Sequence, residues 1–225
     1  MGHIFCLIGK SSSGKDTVYR NLLENKELSL RKVVLYTTRP IRNGEKDGQE
    51  YHFTDESGYQ KIKASGKLIE ERLYHTVKGM WRYFTVDDGG IDPACSDYLL
   101  IGTLESYEAL RAYFGTETVK PIYISLDDGK RLLRAIQREQ KQDIPEYNEM
   151  CRRFLADAED FSEQKLGKAG IDRYFLNEDL GKCVNEIADY LAPLSRFKSL
   201  KIKVNAESGT EMLAEIRKHT NAFLR

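Results

Sequence analysis

The chain has 225 residues, 40% hydrophobic and 31% charged, which suits one α/β domain with an insertion and is short for two large domains. Lys plus Arg and Asp plus Glu both number 35, so no global basic field points to nucleic acid, and any anion site must be built locally. Cys6, Cys95, Cys151 and Cys183 form no C-x-x-C pair, against a zinc site or a disulfide scaffold, and the absence of a leader-like start or a membrane-length apolar run gives the cytosol as the expected compartment and no membrane partner.

Ile4-Phe5-Cys6-Leu7-Ile8 is an apolar run of the length of a buried parallel strand. It leads into Gly9-Lys10-Ser11-Ser12-Ser13-Gly14-Lys15-Asp16-Thr17, and then into Val18 to Leu23, which reads as the first turns of a helix reaching about Glu27. Strand, glycine loop, lysine and helix together make a phosphate site. Small residues at Gly9, Ser11, Ser12, Ser13 and Gly14 let backbone N–H groups turn inward, and the helix start adds further N–H groups and a positive dipole end. Lys15 supplies a charge for the β and γ phosphates. The residue after such a lysine is usually a hydroxyl that ligates Mg²⁺. Here Asp16 holds that slot and the hydroxyl follows at Thr17, so these two are the candidate metal ligands.

Lys32 to Tyr36 reads as a second strand. The segment after it, Thr37-Thr38-Arg39-Pro40-Ile41-Arg42-Asn43-Gly44-Glu45 through Gly48 to Tyr51 and Phe53, changes character abruptly. Arg39 and Arg42 leaving a strand end, in a turn shaped by Pro40 and Asn43-Gly44, make an anion clamp because guanidinium forks match phosphate oxygens; the Tyr51 phenol can donate to the same group.

The phosphate loop followed by T-T-R-x-x-R-x-G-E-x-x-G-x-x-Y-x-F resembles the guanylate kinase family, matching at Thr37, Thr38, Arg39, Arg42, Gly44, Glu45, Gly48, Tyr51 and Phe53. The resemblance implies that Arg39, Arg42 and Tyr51 hold the phosphate of GMP. It also implies that Glu70, after Leu68-Ile69, reads the guanine edge, with the adjacent Glu71 as a one-residue alternative. A carboxylate is the natural acceptor for guanine's N1–H and amino group. Tyr59 and Ile62 suggest a short helix closing at Gly66. Tyr83 and Thr85 match a Tyr-Gly-Thr element of the family, although Phe84 replaces its glycine, and the turn-rich Asp87 to Pro93 ends the insertion.

Tyr98 to Gly102 reads as the third strand, where relatives end in Asp-x-Asp. Ile101 and Thr103 stand there instead; Thr103 is a weak base-side candidate and Glu105 an alternative by a shifted register. A helix follows from Glu105 to Phe114, then a fourth strand over Pro121 to Leu126. Asp127 opens a helix carrying Arg131, Arg134 and Arg138. After a break at Asp143-Ile144-Pro145 come Arg152, Arg153 and Asp157. The resemblance makes this the lid, with Arg134, Arg138 and one of Arg152 or Arg153 folding onto the transferring phosphates, Arg152 being the one adopted. Tyr174 to Leu180 reads as a short strand ending in Asn-x-Asp-Leu, whose Asn177 matches the family's adenine-side asparagine, and a helix runs from Gly181 to Leu191.

The expected architecture is a P-loop α/β fold of three layers with a mostly parallel sheet. Residues 1–192 form the guanylate kinase-like domain, with a monophosphate-binding insertion at about 37–93 and a lid at about 127–157. The expected chemistry is Mg²⁺-dependent transfer from ATP to GMP, with Lys15, Arg39, Arg134, Arg138 and Arg152 neutralising charge. A binding module without turnover and a kinase for another monophosphate remain alternatives. Residues 193–225 are an extension, read as a strand over Ser199–Val204 and a capped amphipathic helix from Ser208. Packing on the domain, pairing subunits into a homodimer and recruiting a partner are its three open roles.

Overall fold

The Ile4–Ile8 run forms β1, whose side chains are all buried. In the computed structural model, which describes residues 2–76 and 79–195, β1 lies at the centre of a five-stranded sheet. Its neighbours are β7 (Tyr98–Ile101) and β8 (Val119–Ser125), both parallel to it. β2 (Arg31–Lys32) extends the sheet beyond β7, and β9 (Tyr174–Leu176) beyond β8, again parallel. A parallel sheet needs cover on both faces, which is why β1 is apolar at every position rather than at alternate ones.

Strand alternation sends the side chains of β1 into two cores. Ile4, Cys6 and Ile8 pack with Leu104, Tyr107 and Leu110 of helix α3 (Leu104–Phe114). Phe5 and Leu7 pack with Val18 and Leu22 of α1 (Lys15–Glu24) and with Cys183, Ile187 and Leu191 of α7 (Leu180–Leu191). The result is the three-layer α/β arrangement. Among the described residues no helix is long and apolar enough to cross a membrane.

A second sheet has the order β4 (His52–Phe53), β3 (Tyr36–Thr37), β6 (Gly79–Val86), β5 (Leu68–Thr76). β5 and β6 form an antiparallel hairpin, and α2 (Glu56–Ala64) covers the sheet through Tyr59, packed with Phe84 and Val86. Asp55 caps α2 by accepting from the Gly58 N–H at 2.7 Å. Helices α4 (Asp128–Glu139), α5 (Tyr147–Asp160) and α6 (Glu163–Lys168) join β8 to β9.

Several boundaries differ from the sequence reading, those of β8, β9 and α7 among them, and three others show their cause. The strand expected over Lys32–Tyr36 is divided: β2 ends at Lys32 in the first sheet and β3 starts at Tyr36 in the second. The apolar run is continuous because its residues serve two cores, Val33 the first and Tyr36 the second. Helix α1 stops at Glu24 instead of Glu27, because Asn25 turns extended and its side chain takes the Glu27 N–H at 3.0 Å. α3 begins at Leu104, one residue before the expected start, with Thr103 as its cap. The strand and helix expected within 196–225 lie outside the described residues.

Candidate functional site

The loop after β1 is shaped by glycines at which a side chain would be strained and crowded. Gly9 has φ +151°, and a Cβ there would stand 2.5 Å from the Ile124 carbonyl oxygen of β8. Gly14 has φ +92° and caps α1 in the left-handed region, with the Asn177 amide too close for any side chain. Asn177, just past β9, is buried and donates from Nδ2 to the Ser13 carbonyl at 2.7 Å. Strand ends β8 and β9 therefore hold the loop in place. Ser12, with φ +61°, is a non-glycine in strained backbone. The Ser12 and Ser13 hydroxyls are buried without a hydrogen-bond partner. Orphaned hydroxyls in a glycine turn beside a lysine fit a phosphate ligand, which would supply their missing partners.

Lys15 opens α1 and donates to the Lys10 carbonyl at 3.0 Å. Burial holds its ammonium below the usual lysine range, against the pull of the Asp16 and Asp157 carboxylates. Asp16 is exposed in the first turn of the same helix, beside Thr17. Among the described residues no cluster of three or more His, Cys, Asp or Glu could hold a metal. One carboxylate and one neighbouring hydroxyl suit Mg²⁺, which keeps waters and phosphate oxygens in most of its positions.

The α4–α5 helix pair lies over this loop. Arg131 is 1% exposed and is held three ways: its Nε donates to the Ser11 carbonyl at 3.0 Å, and its fork reaches Asp157 at 3.0 Å and Asp128. Asp157 also accepts the Ser11 backbone N–H at 2.7 Å. Arg131 and Asp157 were visible in the sequence only as helix residues; no local signal tied either to Ser11. Arg134 donates to the Asn177 carbonyl at 3.2 Å. Arg152 departs from its expected role, being tied to Glu149 one turn back at 2.7 Å on the outer face. Arg153, about 100° further round the helix, is the one that turns to the loop, donating to the Ser11 hydroxyl at 3.4 Å. Arg138 and Arg153 line a cleft of about 320 Å³ with Arg42 from the segment after β3, and Glu139, Glu146 and Glu149 line it with them.

Arg39 is buried, and its fork closes on Glu45, with Nη2 to Oε1 at 2.8 Å and Nη1 to Oε2 at 3.0 Å. Glu45 also accepts the Arg42 N–H at 2.8 Å, so this carboxylate, matched in the motif but given no role there, sets the position of both arginines. The Arg39 guanidinium lies 5.5 Å over the ring of Tyr51, and Tyr51 meets Tyr83 edge-on. Deeper in, Glu70 is buried on β5. It accepts from the Thr85 hydroxyl at 2.7 Å and pairs with Arg72 at 3.2 Å. Glu71 faces the other way, to Tyr59, Lys63 and Arg82. Arg72, one of two arginines on this sheet's long hairpin, drew no notice in the sequence.

Thr103 does not present a free hydroxyl. It caps α3, accepting the Ser106 N–H at 3.2 Å with the Ser106 hydroxyl 3.0 Å away. Ile101 is half-buried at the end of β7, and Glu105 is exposed in the first turn of α3.

A family model described as guanylate kinase matches residues 1–78. A guanylate kinase of Anaplasma phagocytophilum is 27% identical over 212 residues, covering 89% of each chain. One of Chlorobaculum tepidum is 27% identical over 194 residues, covering 85% of this chain and 92% of its own. One of Sphingopyxis alaskensis is 43% identical over 70 residues, 31% of each chain. Among solved structures, a crystal structure of guanylate kinase from Anaplasma phagocytophilum superposes with a TM-score of 0.57 at 22% identity, covering 85% of both chains, a likeness of fold.

Proposed function

We propose, from its likeness to guanylate kinases, that the chain transfers the γ-phosphoryl of ATP to GMP, giving ADP and GDP. A phosphate oxygen of the monophosphate forms the new bond to Pγ as the bond to the bridging β,γ-oxygen breaks and ADP leaves. The observation that carries this reading is the glycine loop with its orphaned Ser12 and Ser13 hydroxyls and Lys15, with Arg153 turned onto it.

The Ser12 and Ser13 hydroxyls and Lys15 hold the donor phosphates, and Asn177 keeps the loop in shape. Arg39, Arg42 and Tyr51 hold the acceptor phosphate; Arg39 must give up part of its Glu45 fork to do so. Arg134, Arg138 and Arg153 spread positive charge over the equatorial oxygens. The helix pair excludes water, which would turn transfer into hydrolysis. Asp16 and Thr17 would hold Mg²⁺, which when bound neutralises charge on the phosphate oxygens. The reaction belongs to the cytoplasm, where its nucleotides are.

One observation favours a second reading, a binding module without turnover: the strand-end positions hold Ile101 and Thr103, and the latter's hydroxyl is taken by its helix. A coupled ADP-release assay with Mg²⁺-ATP against GMP, AMP, CMP, UMP and dGMP separates the readings. Selective turnover of GMP supports the kinase. Turnover of another monophosphate keeps the mechanism and moves the specificity, and GMP binding without ADP release favours the module. Pairing of subunits through residues 193–225 is tested by light scattering on the full and shortened chains.

A further inference from the structure

Glu70 and Arg72 project from one face of β5 into the site of Tyr51, Tyr83 and Thr85. Arg72 is within electrostatic reach of Tyr51, Tyr74 and Cys6 as well as Glu70. Its side chain is 11% exposed and that of Glu70 4%, so neither charge is a solvated surface group. A carboxylate offers about four lone-pair directions. On Glu70, Oε1 accepts from Thr85 Oγ1 and Arg72 Nη2 at 2.7 and 3.4 Å, and Oε2 accepts from Arg72 Nε at 3.2 Å. About one acceptor direction remains. On Arg72 the Nε and Nη2 edge faces Glu70, while Nη1 makes no hydrogen bond to any described residue and keeps its two N–H groups for a ligand.

The pair thus offers one acceptor on Glu70 and unused donors on the arginine bound to it. A base that satisfies both must carry an N–H beside a carbonyl. In a 6-oxopurine, N1–H sits next to O6, with N7 as a further acceptor that a guanidinium commonly reads together with O6. Adenine carries the reverse pattern on that edge. Its N1 lone pair would face the Glu70 carboxylate and its amino group would face the guanidinium.

We propose that Arg72 is a specificity-determining residue that reads the 6-oxo group of the purine monophosphate while Glu70 accepts the neighbouring N1–H. The assignment rests on the phosphotransferase reading above and sharpens it. With its other acceptor directions occupied, Glu70 takes little from the 2-amino group, so selection is for the oxo group more than for guanine itself.

The test is kcat/KM of the full chain for GMP, IMP, AMP and the monophosphate of 2-aminopurine riboside, which keeps the 2-amino group but lacks O6 and N1–H. The wild type is expected to use IMP within about tenfold of GMP, the loss of one modest hydrogen bond. AMP and the 2-aminopurine nucleotide should fall at least about 10³-fold, as a site with buried polar groups left unpaired rejects them. In Arg72→Leu, GMP and IMP should fall together by about 10–100-fold and the 2-aminopurine nucleotide hardly at all. Arg72→Gln, which keeps a donor, should recover part of the loss. Rejection of IMP as strong as that of AMP in the wild type overturns the proposal, and that measurement needs no variant to fold. An unchanged ratio of GMP to the 2-aminopurine nucleotide in Arg72→Leu overturns it as well. If no monophosphate binds or turns over in the wild type, the phosphotransferase reading itself falls and takes this one with it.

Discussion

Asp157→Ala should be the most informative single change at the loop. The carboxylate accepts the Ser11 N–H at 2.7 Å and faces the buried Arg131 at 3.0 Å. A hydrogen bond to a charged group contributes about 1.5–3 kcal/mol, and removing one side of a buried ion pair costs about 3–5 kcal/mol. The low end applies here. Asp157 is 15% exposed, and Arg131 keeps Asp128 and the Ser11 carbonyl. A loss of about 3 kcal/mol follows, not the sum of the two ranges. At about 2–4 °C per kcal/mol for a chain of this size, the Tm should drop by about 6–12 °C. Asp157→Asn keeps an acceptor for Ser11 and should lose about half as much. Thermal and urea unfolding of the three proteins measure this. An Asp157→Ala protein melting within about 2 °C of the wild type would refute the idea that this carboxylate ties the helix pair to the loop.

Lys15→Met should lower turnover by about 10²–10³-fold, the scale for removing one preorganised charge donor. The same variant should be more stable than the wild type at neutral pH. Burial depresses the Lys15 pKa, so charging it opposes folding at low pH, and the cost is relieved as pH rises from the folded pKa to the usual 10.5; the gap in Tm should narrow over that window. Arg152→Ala should change stability by about 0.5 kcal/mol or less, as for other exposed helix pairs, and leave kcat unchanged, whereas Arg153→Ala should lower kcat; the reverse result would restore Arg152 to the site. Gly9→Ala should destabilise the fold by about 1–3 kcal/mol in urea melts, since its φ of +151° is strained for a side chain and its Cβ would meet the Ile124 carbonyl.

What could be read in advance was what neighbouring residues carry. The loop from Gly9 to Thr17 has its meaning in its own spacing, and the Arg39 to Phe53 motif in its. The structure brings Arg39, Tyr51, Tyr83, Glu70 and Thr85 into one region. What could not be read was partnership across the chain. Asp157 meets Ser11 over 146 residues, and Arg131 meets it over 120. No periodicity links such positions, so both arginine and aspartate looked like ordinary helix charges. Arg152 and Arg153 are adjacent, and only the rotation of α5 distinguishes the outward one from the one facing the loop. Thr103 was ambiguous for a different reason. A hydroxyl before a helix can serve a ligand or the helix, and the Ser106 N–H was the nearer claimant. The divided second strand escaped notice because β-branched residues look alike whichever sheet they enter.

The glycine loop is written in the first seventeen residues, yet its shape depends on atoms that are synthesised much later. Gly9 lies under the Ile124 carbonyl, Ser11 is held by Arg131 and Asp157, and Ser13 is held by Asn177. A nascent chain that has left the ribosome only as far as β7 carries the whole motif and none of its supports. Its phosphate-binding ability should therefore appear in a late step of translation, when β9 docks beside β8. An unfinished or truncated product would have little hold on the abundant ATP around it, and the site would open for use only on chains that have completed the sheet.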